Sequence, residues 1–184
     1  MSGIIDTTGA KSGVIGTTVG TPAGNNIKNA VIFGLNGDEA VTSDGSSTTI
    51  TDWTKFSNEC LGELGTFAAP SSGVFTFPRT GYYLIIAHIT HWSTHANGQS
   101  NIEFDIRGTD DDDTYNRISY TRANDISNGS YFMGAGMCAC VVDITSTSTH
   151  KVRMKYSSGT SGTYLGGGVG QNGTSITFIH LGDT

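Results

Sequence analysis

The sequence predicts an all-β sandwich, and three of its features support this fold class. The 184-residue chain has 26 glycines and 3 prolines, a composition typical of turn-rich β proteins. Short apolar segments alternate with turn signals, including Asn-Gly dipeptides, which favour hairpins. No segment repeats its apolar residues at the 3.6-residue spacing of a helix. The expected strands are Ala30–Leu35, Thr48–Phe56, Gly73–Phe77, Tyr82–Trp92, Asn101–Arg107, Tyr115–Thr121, Ser130–Ile144, Lys151–Ser157 and Ser175–Leu181, with a loop at Gly159–Gly173.

The strand expected at Tyr82–Trp92 is apolar on both faces. Side chains alternate along a strand, so Tyr83 and Ile85 point one way while Leu84 and Ile86 point the other. A small sheet packed on one core buries only one such face. The second face therefore requires a partner, which in an all-β protein is commonly another copy of the chain.

The segment Phe75-Thr-Phe77-Pro78, followed by Gly81 and Tyr83, resembles the central signature of the C1q/tumour-necrosis-factor-like domains. The likeness extends by pattern from Asn29 to Thr184. The resemblance implies a jelly roll that assembles as a homotrimer. The matching segments outside the signature are Tyr115–Arg117, Tyr131–Ile144 and Ser175–Gly182.

This resemblance also assigns the trimer contact. It implies that Tyr82–Trp92, Met133–Ile144 and Ile176–Leu181, all expected to be buried on both sides, are adjacent strands of the sheet that lines the three-fold axis. The predicted trimer interface is Leu84, Ile86, His88, Thr90 and Trp92. A thicker core or an unrecognised helix is the alternative explanation of the second apolar face.

The first 28 residues differ from the rest. Ser2–Gly9 is echoed ten residues later by Ser12–Thr18, and both repeats are rich in glycine and threonine. The expected division is an extended anchoring arm at 1–28 and a jelly-roll domain at 29–184. The alternative to an arm is a floppy terminal tail. The arm is expected to dock into another protein through Ile4, Ile5, Val14 and Ile15.

Charge limits the kinds of partner. Charged residues make up only 14% of the chain and its net charge is −6, which argues against nucleic acid or an anionic membrane as partner. No apolar run is long enough for a membrane helix, and the N-terminus lacks the pattern of a secretion signal. A low content of charged residues is common in proteins that form part of a larger assembly.

Side chains capable of metal or redox chemistry form no convincing site in the sequence. Cys138 and Cys140 project from the same face of one strand, and Cys60 is distant, so buried thiols are expected. His88 and His91 point in opposite directions on a strand, which breaks the apparent cluster with His95. The alternative is a site on a three-fold axis, where His88 would meet two copies of itself and bind a metal or an anion.

Two further motifs are expected to be loops. Four consecutive aspartates, Asp110–Asp113, lack the regular ligand spacing of a calcium loop and are interpreted as a solvated tip. The glycine pattern at Gly168–Gly173 precedes a strand, so it lacks the helix that a dinucleotide site requires. No nucleophile with an activating base is recognisable. We therefore expect no cofactor, no metal and no enzymatic activity.

The arm, the C1q-like domain and the low charge together resemble structural proteins of tailed bacteriophages. The resemblance implies a homotrimeric capsid decoration or head-fibre protein in the virion, assembled in the host cytoplasm and anchored to other virion proteins by its arm. The loops Thr109–Thr114 and Ser158–Gly173 are expected to face outward and to suit contact with a host-surface glycan. The alternatives are a receptor-binding tail-fibre tip and a monomeric carbohydrate-binding module.

Overall fold

The structure is a computed structural model that describes residues 27–42, 45–56, 62–93, 101–124, 126–128, 131–158, 162–168 and 173–184. Every regular element among these residues is a β-strand. The strands are β1 (Ala30–Leu35), β2 (Glu39–Ala40), β3 (Thr48–Thr49), β4 (Trp53–Lys55), β5 (Val74–Thr76), β6 (Gly81–Ser93), β7 (Asn101–Thr109), β8 (Asn116–Asn124), β9 (Ile126–Asn128), β10 (Tyr131–Ile144), β11 (Lys151–Ser158), β12 (Thr163–Leu165) and β13 (Ser175–Gly182). None of the described segments is a helix that could cross a membrane.

The strands form two antiparallel sheets. Sheet I has the order β2-β12-β6-β13-β1-β4, and β10 pairs with the remaining edge of β6 and carries β9 beyond it. Sheet II has the order β3-β11-β7-β8, with β5 also paired to β11. Sequential strands are therefore distributed between two layers, as in a jelly roll.

The strand registers define two ends of the sandwich. At the root end, Gly81 pairs with Ile144 and the backbone N–H of His180 donates to the carbonyl of Asn29, just before β1. At the far end, Asn101 pairs with Asn124 and Ser93 pairs with Thr163. The chain therefore enters the jelly roll at the root end.

Aromatic side chains fill the core between the sheets. Phe33, Phe75 and Phe178 contact one another in tilted or edge-to-face pairs, with ring centroids 5.1–6.4 Å apart. Tyr83 is fully buried, and its ring lies 4.8 Å from that of Phe77. The signature segment therefore supplies the centre of the core.

The expected strand Thr48–Phe56 is wrong as a single element. Its first part, β3, pairs with β11 in sheet II, and its second part, β4, pairs with β1 in sheet I. Between them Ile50 is fully buried, and its carbonyl accepts a 3.0 Å hydrogen bond from the indole of Trp53. The segment therefore crosses between the layers at Ile50, which a continuous strand in one sheet could not do.

The expected loop at Gly159–Gly173 contains β12. Thr163 and Leu165 are buried, and β12 extends the line of β13 along the far part of β6. Three residues between glycine-rich segments give too little alternation to be recognised as a strand. The two-residue strand β2, which pairs with β12, is too short to recognise for the same reason.

Candidate interaction surface

Strand β6 has one buried face and one face directed away from the core. Tyr83, Ile85, Ala87 and Ile89 are fully buried beneath sheet I. The predicted interface residues all lie on the opposite face, where each is partly exposed: Leu84, Ile86, His88, Thr90 and Trp92. In the single chain this face is left partly uncovered. The contact of this face with other copies stays a prediction.

Strand β10 extends the same face with exposed apolar side chains. Met137 lies opposite His88, and Val141 lies opposite Leu84. Met133, Met137 and Val141 are 53%, 65% and 59% exposed. The run Met133–Ile144 was expected to line the three-fold axis, but the predicted interface named none of its residues, although apolar side chains recur at every second position from Met133 to Val141.

Strand β13 continues the face on the other side of β6. Ile179 lies opposite Leu84, and Thr177 lies opposite Ile86. We call this surface the apolar face and define it as Leu84, Ile86, His88, Thr90, Trp92, Met133, Ala135, Met137, Ala139, Val141, Thr177 and Ile179. Large exposed apolar patches on soluble proteins mark sites of association.

The polar groups of the apolar face bond within the chain. The Nδ1 of His88 lies 2.8 Å from the carbonyl oxygen of Gly173, which can only accept. The hydroxyl of Thr90 donates to the carbonyl of Gly166, and the indole of Trp92 donates to Asp38 at 3.2 Å. Because these groups are already paired, the surface that the apolar face presents is mainly hydrocarbon and sulfur.

A cavity of about 620 Å³ lies where the apolar face reaches the far end. Trp92 stacks on Tyr164 beside it, with ring centroids 4.4 Å apart and planes inclined by 14°. Asp38, Met133 and Gly166 also line it. The aromatic pair offers a flat apolar surface to a ligand, and the carboxylate of Asp38 is held beside it by the indole of Trp92 and by the backbone N–H of Gly167 at 2.9 Å.

A second apolar patch lies on β8, the edge strand of sheet II. Ile118 is 40% exposed and Tyr120 is 55% exposed. The hydroxyl of Ser119, between them, donates to the carbonyl of Ala139 on β10 at 3.0 Å. This edge patch therefore adjoins the strand that carries Met137.

The described histidines and cysteines form no metal site. His88 lies on the apolar face and His91 is buried beneath sheet I, as strand alternation predicted. The described residues contain no group of three or more side chains arranged to hold a metal ion. Burial raises the pKa of both Cys138 and Cys140 to about 11, which makes them inert thiols. Cys60 and His95 lie outside the described residues.

The aspartate run forms an exposed, self-bonded tip between β7 and β8, as expected. One carboxylate oxygen of Asp111 accepts from the hydroxyl of Thr109 at 2.6 Å and from the backbone N–H groups of Asp113 and Thr114, both at 2.9 Å. The Thr109 hydroxyl and these N–H groups lower the pKa of Asp111 to about 2. Asp112 pairs with Lys151, which fixes the tip at the root end.

The docking residues expected in the arm, Ile4, Ile5, Val14 and Ile15, lie outside the described residues. The described chain begins at Ile27, which is 51% exposed. Lys28 pairs with Asp183 at 2.6 Å, so the start of the jelly roll is fastened to its closing strand at the root end.

Comparison with solved structures finds jelly rolls of similar topology. Eiger TNF from S. frugiperda superposes with a TM-score of 0.53 at 16% identity, covering 84% of this chain and 93% of that one. Murine APRIL gives TM-scores of 0.50 at pH 8.5 and 0.51 at pH 5.0, both at 14% identity, covering 84% of this chain and 100% of each APRIL chain. The chain has the tumour-necrosis-factor-like jelly-roll fold. No protein-family model and no curated protein sequence matches it.

Within the tumour-necrosis-factor-like fold, the apolar face is the outer surface of the sheet that carries both β1 and β13. The three runs expected to be adjacent, in β6, β10 and β13, are neighbours in that sheet. At 14–16% identity the likeness establishes only the fold, and the role of the apolar face has to be inferred from its own residues.

Proposed function

We propose that the protein is a homotrimeric structural protein of a tailed-bacteriophage virion, with an anchoring arm at 1–28 and a projecting jelly roll. The exposed apolar face of sheet I carries this proposal. It holds three large apolar side chains of β10 that are more than half exposed, Met133, Met137 and Val141. A chain that buries this face gains stability from association rather than from its own core.

Two different apolar patches support a ring of copies. The apolar face lies on sheet I, while Ile118 and Tyr120 lie on the neighbouring edge of sheet II. A contact between the face of one copy and the edge of the next is heterologous, and such contacts close into rings when the rotation permits. The resemblance to trimeric C1q-like domains supports a ring of three.

The geometry of the two ends supports an anchoring role for residues 1–28. The chain enters at the root end, so an arm that binds a capsid would leave the far end pointing outward. Three arms in one trimer would also bind with avidity. The loop Thr109–Thr114 lies at the root end with Lys151, opposite the expectation that it leads the outward surface. Ser158 and Thr163 lie at the far end, and the loop Ser158–Gly173 stays our proposed contact with a host-surface glycan.

A receptor-binding tail-fibre tip is the second candidate function. The stacked pair of Trp92 and Tyr164 beside Asp38 favours it, because aromatic faces and carboxylates are common in sugar-binding sites. A monomeric carbohydrate-binding module would use the same cavity without assembling.

The native mass of the full chain and of a version lacking 1–28 tests the proposal. We expect the full chain to have three times its 19.3 kDa mass and the shortened version to be a trimer as well. Met137→Glu should yield a folded monomer, because it buries a charge only on association. Ile27→Glu is the matched control, since Ile27 is 51% exposed and precedes the first strand of sheet I.

Binding to emptied phage heads then separates the candidates. A decoration protein should bind heads through its arm and lose binding when 1–28 is removed. A tail tip should instead adhere to host cells as an isolated trimer. Monomers of both the full chain and the shortened chain would contradict the trimer and favour a carbohydrate-binding module.

A further inference from the structure

The outward face of sheet II concentrates positive charge in an acidic protein. The chain has 10 lysines and arginines and a net charge of −6. Six of those cations lie on β7, β8 and β11, and we call the outward surface that they form the cationic face: Arg107, Arg117, Arg122, Lys151, Arg153 and Lys155. Such clustering is not expected for a face exposed only to water, since like charges repel.

The acidic side chains on this face are engaged by several cations each. Asp105, only 3% exposed, lies 3.0 Å from the Nε of Arg107 and 2.9 Å from an Nη of Arg117. Glu103 pairs with Arg122 at 3.0 Å and also with Arg117. Two carboxylates therefore neutralise three guanidinium groups only in part.

Two further cations, Arg153 and Lys155, lie beside Asp105 and Arg107, while Lys151 pairs with Asp112. Arg107 and Arg153 lie directly opposite each other on β7 and β11, and Lys155 lies opposite Asp105. Burial and the neighbouring guanidinium groups of Arg107 and Arg153 lower the pKa of Lys155. Arg153 lies over the ring of Tyr115, 3.9 Å from its centroid. This group of Arg107, Arg153 and Lys155 carries more positive charge than the adjacent carboxylate offsets.

A polar groove continues the cationic face toward the far end. It has a volume of about 260 Å³ and is lined by Asn101, Glu103, Arg122, Ser157 and Ser158 together with Gly45. Ser157 follows Lys155 on the same face of β11. Amide, hydroxyl and carboxylate groups next to cations are the donors and acceptors that sugar hydroxyls use.

We propose that the cationic face binds an anionic polysaccharide, with Arg107, Arg153 and Lys155 holding its carboxylate or sulfate groups and the adjoining groove taking its hydroxyls. Guanidinium groups suit both anions because they donate two parallel hydrogen bonds. Tyr115, whose ring lies beside Arg153, adds a flat surface on which a sugar ring can pack.

The surroundings favour a polysaccharide over other polyanions. The groove beside the cations is lined by Asn101, Ser157 and Ser158, whose amide and hydroxyl groups match the hydroxyls of a sugar chain, which the backbone of duplex DNA lacks. A protein partner would call for an apolar centre, and the non-aromatic apolar side chains that are more than half exposed on the described strands, Met133, Met137 and Val141, lie on β10 in the other sheet. This inference does not depend on the proposed trimer, because the cationic face and the apolar face belong to different sheets.

Retention of the full chain on immobilised dextran sulfate, polygalacturonate and neutral dextran tests the proposal. We expect retention on the two anionic polymers and none on dextran. The double variant Arg153→Gln with Lys155→Gln should bind at least about tenfold more weakly, because two charge-assisted hydrogen bonds are lost. The matched control is Lys28→Gln with Lys55→Gln, which removes the same charge from cations paired with Asp183 and Glu63. It should bind within about twofold of the natural chain.

Three results would overturn the proposal: no retention on either anionic polymer, equal weakening in both double variants, or tighter binding to duplex DNA than to both polysaccharides. The unfolding midpoint of each variant shows whether the fold is retained. We expect it to be retained, since removing Lys155 and Arg153 relieves like-charge repulsion. Native mass, measured in parallel, separates a failure of this proposal from a failure of the trimer.

Discussion

The hydroxyl of Tyr83 donates a 3.1 Å hydrogen bond to the backbone carbonyl of Arg79, four residues earlier. This bond spans the turn between β5 and β6 and ties it to the aromatic core. Tyr83→Phe should therefore lower the free energy of unfolding by about 1 kcal/mol, measured by urea denaturation at pH 7. Tyr82→Phe, at a side chain that is 46% exposed, should change it little.

The same tyrosine should limit stability in alkali. Burial raises the pKa of Tyr83 from 10.0 to about 12. The unfolded chain therefore ionises first, and stability that is fully present below pH 10 falls as the pH rises toward 12. In Tyr83→Phe the free energy of unfolding should fall less between pH 10 and pH 12 than it does in the natural chain, as measured by unfolding curves across that range. An unchanged slope would contradict the assignment.

Gly81 occupies a backbone conformation that only glycine adopts freely. Its φ is 131°, and a Cβ there would lie 2.4 Å from both the carbonyl oxygen of Gly182 and the Nε2 of His180. We expect Gly81→Ala to cost roughly 2 kcal/mol or more of stability, read from the urea midpoint. Gly182→Ala is the control, because a Cβ at that position would meet no other atom within 4 Å.

Neighbouring isoleucines on β6 should separate folding from assembly. Ile85 is fully buried, so Ile85→Ala should destabilise the fold by about 2–5 kcal/mol. Ile86 lies on the apolar face, and Ile86→Ala should mainly weaken association. Unfolding at low concentration and native mass over a dilution series measure the two effects. Equal effects on both quantities would argue against the proposed interface.

The aspartate tip should make stability depend on pH in acid. The pKa of Asp111 is lowered from 3.8 to about 2 by the hydroxyl of Thr109 and two backbone N–H groups. Its contribution is present above pH 3.8 and is lost as the pH falls toward 2. Asp111→Asn should reduce this acid-dependent loss in thermal melts between about pH 5 and pH 2. Asp113→Asn, at the same tip, should leave the loss in place.

The fold was predictable from the sequence because local signals and packing agree there. The signature from Phe75 to Tyr83 combines strand alternation, a proline and a glycine that the turn requires, and its aromatic residues form the core. Long strands such as β6 and β10 were identified within a few residues of their ends. The short strands β2 and β12 owe their existence to pairing with distant segments, which local alternation cannot reveal.

The surfaces were predictable only in part. Alternation along β6 placed Leu84 and Ile86 on the face away from the core. Placing Met137 on the same face, beside them, requires the register between β6 and β10, which the sequence does not reveal. The cationic face could not be found at all. Arg107 and Arg153 are 46 positions apart and meet only because β7 pairs with β11.

The fastening of both chain ends at the root end governs how the jelly roll responds to mechanical force. β1 and β13 are antiparallel neighbours, with Ala30 opposite Ile179. Pulling these two strands apart from the root end would therefore break the hydrogen bonds between β1 and β13 one after another. In the proposed virion arrangement, tension between an anchored arm and a ligand held at the far end would run along the strands, so the bonds of each ladder would share the load. The jelly roll would thus be weak against a pull on its two root-end strands and strong along the axis on which the proposed projection would be loaded.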